Sequence, residues 1–405
     1  MSEWKKVKLK DCCHSISDGD HLPPPKSNSG IPFVTIANID ATNHIDFGNT
    51  MFVPLEYYNN LNEIRKAKCN DILYSVVGSF GKPVLIKENI PFAFQRHIAI
   101  LRPNNEIADS RFLYYVMLTR DFFMQADTVA IGVAQRTISL TALRNMEVKL
   151  PSMETQYRIA NILSRYDSLI ENYQKQIKLL EESAQRLYKE WFIDLHFPGH
   201  ENTKIVDGVP EGWELKSVTN NHLFDVAKCR IALFNGNKTY YATADVEGTY
   251  FCNSGVKIEY DNKPSRAQIQ PSLYSVWFAR MSNSFKIVGF VEQNNNRRED
   301  AILSSGFAGF ESHYERFGFL YCLISSQWFN DQKDRYATGA TQVSITNEGL
   351  SRIRCLLPTT RLAEEFSLVT NKIIEETILY RENCTMLTEA RDRLLPKLMS
   401  GEITV

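Results

Sequence analysis

The sequence has no Cys-x-x-Cys, no Gly-x-Gly-x-x-Gly, no Walker-type phosphate loop and no His-Glu-x-x-His. Those absences remove the usual zinc-ribbon, dinucleotide, nucleoside-triphosphate and zinc-protease readings. The only Pro-Pro run, Pro23-Pro24-Pro25, follows Leu22, so the Asn/Asp-Pro-Pro-Tyr/Phe pattern of amino-methyltransferases is missing too. Glu-x-Lys triplets at Glu147–Lys149 and Glu214–Lys216 lack the Pro-Asp that a nuclease site would place before them. The longest uncharged stretch, Phe317 to Asn330, is too short and too polar for a membrane span. No apolar run follows Met1–Lys6, so no secretory signal is expected. Eight cysteines are scattered singly or as Cys12-Cys13, which reads as reduced thiols in a cytoplasmic protein. Neighbouring residues of a strand face opposite ways, so Cys12-Cys13-His14 is poor metal geometry. Excess charge is absent as well: 46 Lys+Arg against 47 Asp+Glu, a net charge of −1, argues against indiscriminate coating of a polyanion. A chain of 405 residues is long enough for two or three domains.

What the chain does contain is an internal repeat. Ala130-x-Gly132-x-x-Gln135-x-x-Ile138 recurs as Ala337-x-Gly339-x-x-Gln342-x-x-Ile345, a shift of 207 residues. The shift persists as Leu143 matches Leu350, Met146 matches Ile353, and Leu150-Pro151 matches Leu357-Pro358. Upstream the offset drifts, as loop insertions would make it. Leu73-Tyr74-Ser75-Val76 aligns with Leu273-Tyr274-Ser275-Val276, Arg111-Phe112 with Arg316-Phe317, and Trp4 with Trp213.

Each half begins with short strand-like runs, among them Ile31–Ile36, Ile72–Val77, Pro83–Ile86 and Ile98–Leu101, with one helix expected from Arg111 to about Met124. Each half ends in a helix of about 40 residues, roughly 60 Å. In the first, Pro151 stops the preceding strand, Ser152 can cap, and Glu154 suits the dipole. Apolar residues at Ile159, Ile162, Tyr166, Leu169, Tyr173, Ile177, Leu180, Ala184, Leu187 and Trp191 step by three and four with one stutter, the pattern of a coiled-coil seam. The second helix keeps the phase through Phe366, Val369, Ile373, Tyr380, Cys384, Leu387, Leu394 and Leu398, with Glu376 and Arg391 as polar gaps. The fold class expected is therefore α+β: two globular domains in a pseudo-two-fold arrangement, joined by two long helices that form an antiparallel coiled coil. The domains are residues 1–150, a helix over 151–196, a Pro/Gly linker over 197–211, a second globular domain over 212–357, and a second helix over 358–400.

Pro151-Ser152-Met153-Glu154-Thr155-Gln156-Tyr157-Arg158-Ile159-Ala160, followed by Ile162-Leu163-Ser164, Asp167 and Ile170, resembles the central region of type I restriction–modification specificity subunits. So do Leu187–Phe192, Phe197-Pro198-Gly199 and Asp207–Trp213, while Phe278–Met281 and Ser304–Phe307 resemble one type of target-recognition domain. The second helix departs from the pattern, with Ala363 and Ser367 where the first has Gln156 and Ala160. The resemblance implies a non-catalytic subunit whose two target-recognition domains each read half of a bipartite, asymmetric duplex DNA sequence. It implies two methyltransferase and two restriction/translocase subunits as partners, and no membrane. The chain would need no cofactor; S-adenosylmethionine, ATP and magnesium would belong to the partners. The alternative is a coiled-coil adaptor that never touches DNA.

Base readout needs Arg or Lys for guanine and Asn or Gln for adenine. In the first half the candidates are His21, Lys82 behind Gly78-x-x-Gly81, Arg96, His97, Gln135 and Arg136. Because Gln135 recurs as Gln342 whereas Arg136 faces Val343, Arg136 is the better reader: residues that read different bases should differ between the halves. In the second half the candidates are Arg280 and one loop carrying Asn294, Asn295, Asn296, Arg297 and Arg298.

Overall fold

The computed structural model describes residues 4–405 apart from Leu22, Ala41, Ala134 and Thr341. The chain falls into two compact units: Met1–Leu169 with Leu387–Val405, and Ile170–Met386.

In the first unit, four antiparallel strands form the principal sheet in the order Cys13–Asp18, Ile98–Pro103, Ile72–Ser75, Pro83–Leu85. A smaller sheet sets Ile31–Val34 antiparallel to Met51–Val53 and parallel to Ala93–Phe94. Ile72–Ser75 is buried throughout because both its faces are covered. Ile72 and Tyr74 join Phe112, Tyr115 and Phe122 of the helical layer, while Leu73 joins Val34, Ile39 and Phe94 beneath the smaller sheet. Successive side chains alternate faces, so one strand serves two cores.

The second unit repeats the plan. Its principal sheet runs Asp225–Val226, Phe307–Glu311, Ser275–Ala279, Ile287–Phe290. Its other sheet places Lys238–Tyr241 antiparallel to Val256–Ile258 and parallel to Ala301–Ser304, and adds Ala267–Ile269 at the edge. Val276 and Phe278 face the helical core, and Trp277 and Ala279 face the second sheet. In each unit a two-stranded ladder closes the globular part: Lys5–Lys8 with Glu147–Leu150, and Glu214–Ser217 with Arg354–Leu357.

The repeated Ala-x-Gly-x-x-Gln-x-x-Ile motif forms the same tight hairpin twice, bridged Ile131 to Thr137 and Thr338 to Ser344. Gly132 and Gly339 have φ of 108° and 142°. A Cβ there would stand 2.7 Å from the Gln135 carbonyl oxygen and 2.4 Å from that of Gln342, so glycine is required. The motif's isoleucine then ties the hairpin to the sheet, Ile138 N donating to Val76 O (2.8 Å) and Ile345 N to Arg280 O (2.9 Å).

That pair of bonds corrects one alignment. Val76 is equivalent to Arg280, a shift of 204, and not to Val276. The same shift relates Gly78 to Ser282, whose amides donate to Arg136 O and Val343 O, and Ser75 to Ala279, whose amides donate to Lys82 O and Lys286 O. The second Leu-Tyr-Ser-Val stretch instead contains the turn before its strand, with Tyr274 at φ 53°. The helix expected from Arg111 to Met124 is likewise two helices, Ser110–Leu118 and Arg120–Val129. Thr119 breaks them and caps the second by accepting from Phe122 N; Ser326 does the same between Tyr314–Ile324 and Gln327–Arg335.

The long helices run Met153–Phe192 and Thr360–Ser400. They pair antiparallel within each unit: Asp167 meets Arg391 in the first, and Tyr173 meets Tyr380 and Trp191 meets Phe366 in the second. The seam is not the expected one throughout. Ile159 and Phe366 are buried, and Ile162, Tyr166, Tyr173, Ile177, Leu180, Leu187, Ile373, Tyr380, Leu387 and Leu394 are half-buried, but Leu169 and Val369 are exposed. Ile170 is buried, and Ile374 and Ile378, which flank the polar gap at Glu376, are buried in the globular core, which draws that helix face away from a strict two-helix seam. Nor is the segment over 197–211 a free linker. Phe197 is buried against Trp213 at 5.3 Å, and a small hairpin pairs Ile205–Val206 with Val209–Pro210. Among the described residues no helix is long and apolar enough to cross a membrane.

Candidate nucleic-acid interface

In the first unit, one end of the principal sheet gathers every first-half candidate. Cys13–Asp18 and Ile72–Ser75 end there, and Pro83–Leu85 and Ile98–Pro103 begin there. A chain of backbone contacts links the loops side by side: Asp20 bridges Gln95, Val76 N donates to His97 O (2.9 Å), and Gly78 N donates to Arg136 O (2.9 Å). His21, Lys82, Arg96, His97, Gln135 and Arg136 therefore belong to one surface built of four loops.

Their availability differs. Arg96 is exposed, and among the described residues its guanidinium has no partner. Gln135 is exposed beside Gly78. His21 is exposed, but its ring lies 2.9 Å from an Asp18 carboxylate oxygen in a cluster with Asp20, Arg65 and Tyr57. Lys82 is half-buried and donates to Ile39 O at 3.5 Å. Its counterpart Lys286 donates to Thr243 O at 2.8 Å, so a lysine at this position supports the loop in both units. Arg136 donates to the Asp127 carboxylate and carbonyl and lies over the Phe80 ring. Arg136 is thus already engaged, whereas Gln135 is exposed with no side-chain partner among the described residues. Beside them the hairpin tip presents two apolar side chains, Ile131 at 70% and Val133 at 104% exposure.

The second-half candidates do not come together. Arg280 lies at the equivalent sheet end. Its guanidinium is spent on the frame, donating to Phe307 O (3.2 Å), Ile345 O (3.1 Å) and the Asn347 amide oxygen (2.9 Å). Burial holds its pKa below the ordinary arginine value. Residues 294–298 follow Ile287–Phe290 at the opposite end of that sheet, and they are a helical turn, Asn295–Asp300, rather than a loop tip. Asn294 is buried, accepting from Val291 N and donating to Gly289 O. Arg297 makes a two-pronged pair with Glu382 (2.6 and 2.8 Å) and donates to the Tyr241 hydroxyl (2.8 Å). Arg298 is held by Asn295 and Glu299, and Asn295 also by Glu299. Only Asn296 of this group is exposed without a side-chain partner among the described residues.

A second-half set with unengaged side chains lies on other segments. Lys228 and Arg230, on the segment after Asp225–Val226, and Arg266, before Ala267–Ile269, are all exposed. None has a side-chain partner among the described residues. Ile231 N donates to Gln268 O and Ser305 N to Arg266 O, which places them beside one another. Their segment is the counterpart of the first-half loop that carries His21. The available signal was the Lys228-x-Arg230 alternation leading into Asn235-Gly236-Asn237, a cationic stretch ending in a turn.

Free cations and amides on loops at one sheet end can meet phosphates and base edges. Among the described residues no three His, Cys, Asp or Glu side chains are placed to hold a metal ion. The family described as the type I restriction modification DNA specificity domain matches residues 1–182. The type I restriction enzyme MjaIX specificity subunit of Methanocaldococcus jannaschii is 28% identical over 315 residues, covering 73% of this chain and 69% of that protein. The putative MjaX specificity subunit of the same organism is 24% identical across 100% of this chain and 94% of its own length. The crystal structure of the type I restriction–modification S subunit from M. genitalium shares the fold, with a TM-score of 0.63 at 17% identity over 98% of this chain and 96% of that one. Residues 1–182 thus match the type I restriction modification DNA specificity domain, and the chain as a whole, with its duplicated fold and paired long helices, is similar to type I restriction–modification specificity subunits.

Proposed function

We propose that the chain reads a bipartite, asymmetric duplex DNA sequence, one half-site per globular domain, as the recognition and not the catalytic component of its complex. The observation that supports this best is the pair of equivalent sheet ends. The hairpin frame, with an exposed glutamine at Gln135 and Gln342, is the same in both, while the cations left free beside it differ: Arg96 in the first, and Lys228, Arg230 and Arg266 in the second. A shared frame with different free donors suits two readers of different sequences. The free cations suit phosphates, and with a net charge of −1 the chain should bind more tightly alongside its partners than alone. Those partners are two methyltransferase and two restriction/translocase subunits. They would carry S-adenosylmethionine, ATP and magnesium.

The test is methylation-site mapping of the assembled complex before and after residues 212–357 are exchanged for those of another specificity subunit. One half of the recognised sequence should change and the other should not. Changes in both halves would sink independent reading, and an absence of site-specific methylation would favour the adaptor alternative.

A further inference from the structure

Two half-buried ionic junctions sit where the long helices meet the globular parts. In the first unit Asp167 of the first helix accepts from Arg391 of the second (2.8 Å) and from the Tyr115 hydroxyl of Ser110–Leu118 (2.5 Å). In the second unit Glu181 of the first helix accepts from Arg381 of the second. Arg381 also reaches Thr249 in the sheet domain and the Tyr321 hydroxyl of Tyr314–Ile324 (3.4 Å). The composition is the same in both: an acid from the first helix, an arginine from the second and a tyrosine from the domain helix. Burial, with Asp167 beside it, pushes the Tyr115 phenol far above its ordinary value, so it remains a donor.

Between the junctions the apolar seam is thin. Between Asp167 and Glu181 the first helix buries only Ile170, and between Arg381 and Arg391 the second buries no residue. A two-helix seam of half-buried side chains slides at little cost, whereas a slide that separates a half-buried arginine from its acid leaves both unpaired. On the reading given above, we infer that Asp167–Arg391–Tyr115 and Glu181–Arg381–Tyr321 are positioning residues that fix helix register, and through it the number of base pairs allowed between the two half-sites. The polar gap that the sequence shows at Arg391 is then the lock itself and not a defect in the seam.

The experiment uses the assembled complex and duplexes carrying the mapped half-sites at the native gap, one base pair shorter and one longer. The variants are Glu181→Met with Arg381→Met, the reversed pair Glu181→Arg with Arg381→Glu, and Glu181→Arg alone. Replacing a largely desolvated ion pair by apolar side chains commonly leaves folding intact, so the methionine variant should melt no lower than wild type. Its preference for the native gap should fall by about tenfold, the scale of one mismatched pair. The reversed pair should keep the preference, and the single reversal, which sets two arginines together, should lose it. Unchanged gap preference in a folded methionine variant overturns the proposal. Should that variant not fold, the comparison of single and double reversal decides, and failure of the double to restore the preference overturns it equally. A wild-type complex that methylates no mapped site sinks the recognition reading and this proposal with it; a selective wild type beside an equally selective methionine variant sinks the proposal alone.

Discussion

Residues 76–82 and 280–286 occupy the same place in the two units, yet different chemistry holds them. The first loop is built on glycine: Gly78 and Gly81 have φ of 69° and 94°, and Phe123, stacked on Phe80, packs where a side chain at Gly81 would go. The second has no glycine. Arg280 ties its start to the hairpin, and the ammonium of Lys333, 2% exposed, donates to Met281 O (3.1 Å) and Ser284 O (2.5 Å) from beneath. On the 207 shift Lys333 replaces Ala126, which is fully buried. One half therefore shapes its loop by backbone freedom and the other by inward-pointing cations. Arg280 and Lys333 are thus scaffold in one half where the other has Val76 and Ala126, while the lysine at 82 and 286 supports the loop in both.

The comparison can be broken at several points. The largest effect is expected at Arg297, whose guanidinium ties the sheet domain to the second long helix through Glu382. Arg297→Ala should leave Glu382 unpaired and lower the stability of the second unit by about 3–5 kcal/mol, with no change in the second half-site once folded. Urea melts paired with methylation mapping check both parts. Next come the shared glycines. Gly339→Ala should cost about 1–3 kcal/mol and weaken the second half-site selectively, Gly132→Ala somewhat less at the first, because the added Cβ has 0.3 Å more room there (2.7 against 2.4 Å). Equal loss at both half-sites from either change would disprove local action. Smaller again, Arg96→Ala and Arg266→Ala should each reduce the slope of log affinity against log salt by about 1 without altering stability, as removal of a phosphate contact does. An unchanged slope would take that arginine off the interface.

The smallest effect concerns pH. Burial lowers the Lys333 pKa below its ordinary 10.5. Between the lowered folded value and 10.5, the unfolded chain holds a proton that the folded chain has lost, so stability rises with pH through that window. Below the folded value both states are charged and the penalty for burying the ammonium is constant. Relative to Lys333→Met, wild type should therefore gain in melting temperature as pH approaches 10.5 from below, and a widening deficit would contradict the assignment.

How far the sequence could be read depends on the range of the interactions that decide each feature. The hairpin, the closing strand and the start of the long helix follow one another without insertion, so their 207 shift is visible and their local chemistry suffices: a glycine at positive φ, a capping hydroxyl, a proline stop. The upstream strands were misaligned by four residues because a four-residue likeness cannot tell a strand from a turn. The side chains at the interface were the least readable. Arg136 and Arg297 look free in the sequence, but Asp127 lies nine residues from one and Glu382 85 residues from the other. A partner that distant is set only by the fold. Conversely, Lys228, Arg230 and Arg266 stand without a side-chain partner among the described residues, and the Lys228-x-Arg230 alternation marks a cationic stretch without recording that freedom.

The two closing ladders have a consequence for how such proteins diversify. Because Lys5–Lys8 lies against Glu147–Leu150 and Glu214–Ser217 against Arg354–Leu357, the chain enters and leaves each globular part through neighbouring strands of one ribbon. A genetic crossover on either side of that ribbon exchanges an entire reader while disturbing four paired residues on each strand. New recognition sequences can then arise by reassortment of intact modules, with no intermediate in which a half-altered core must fold.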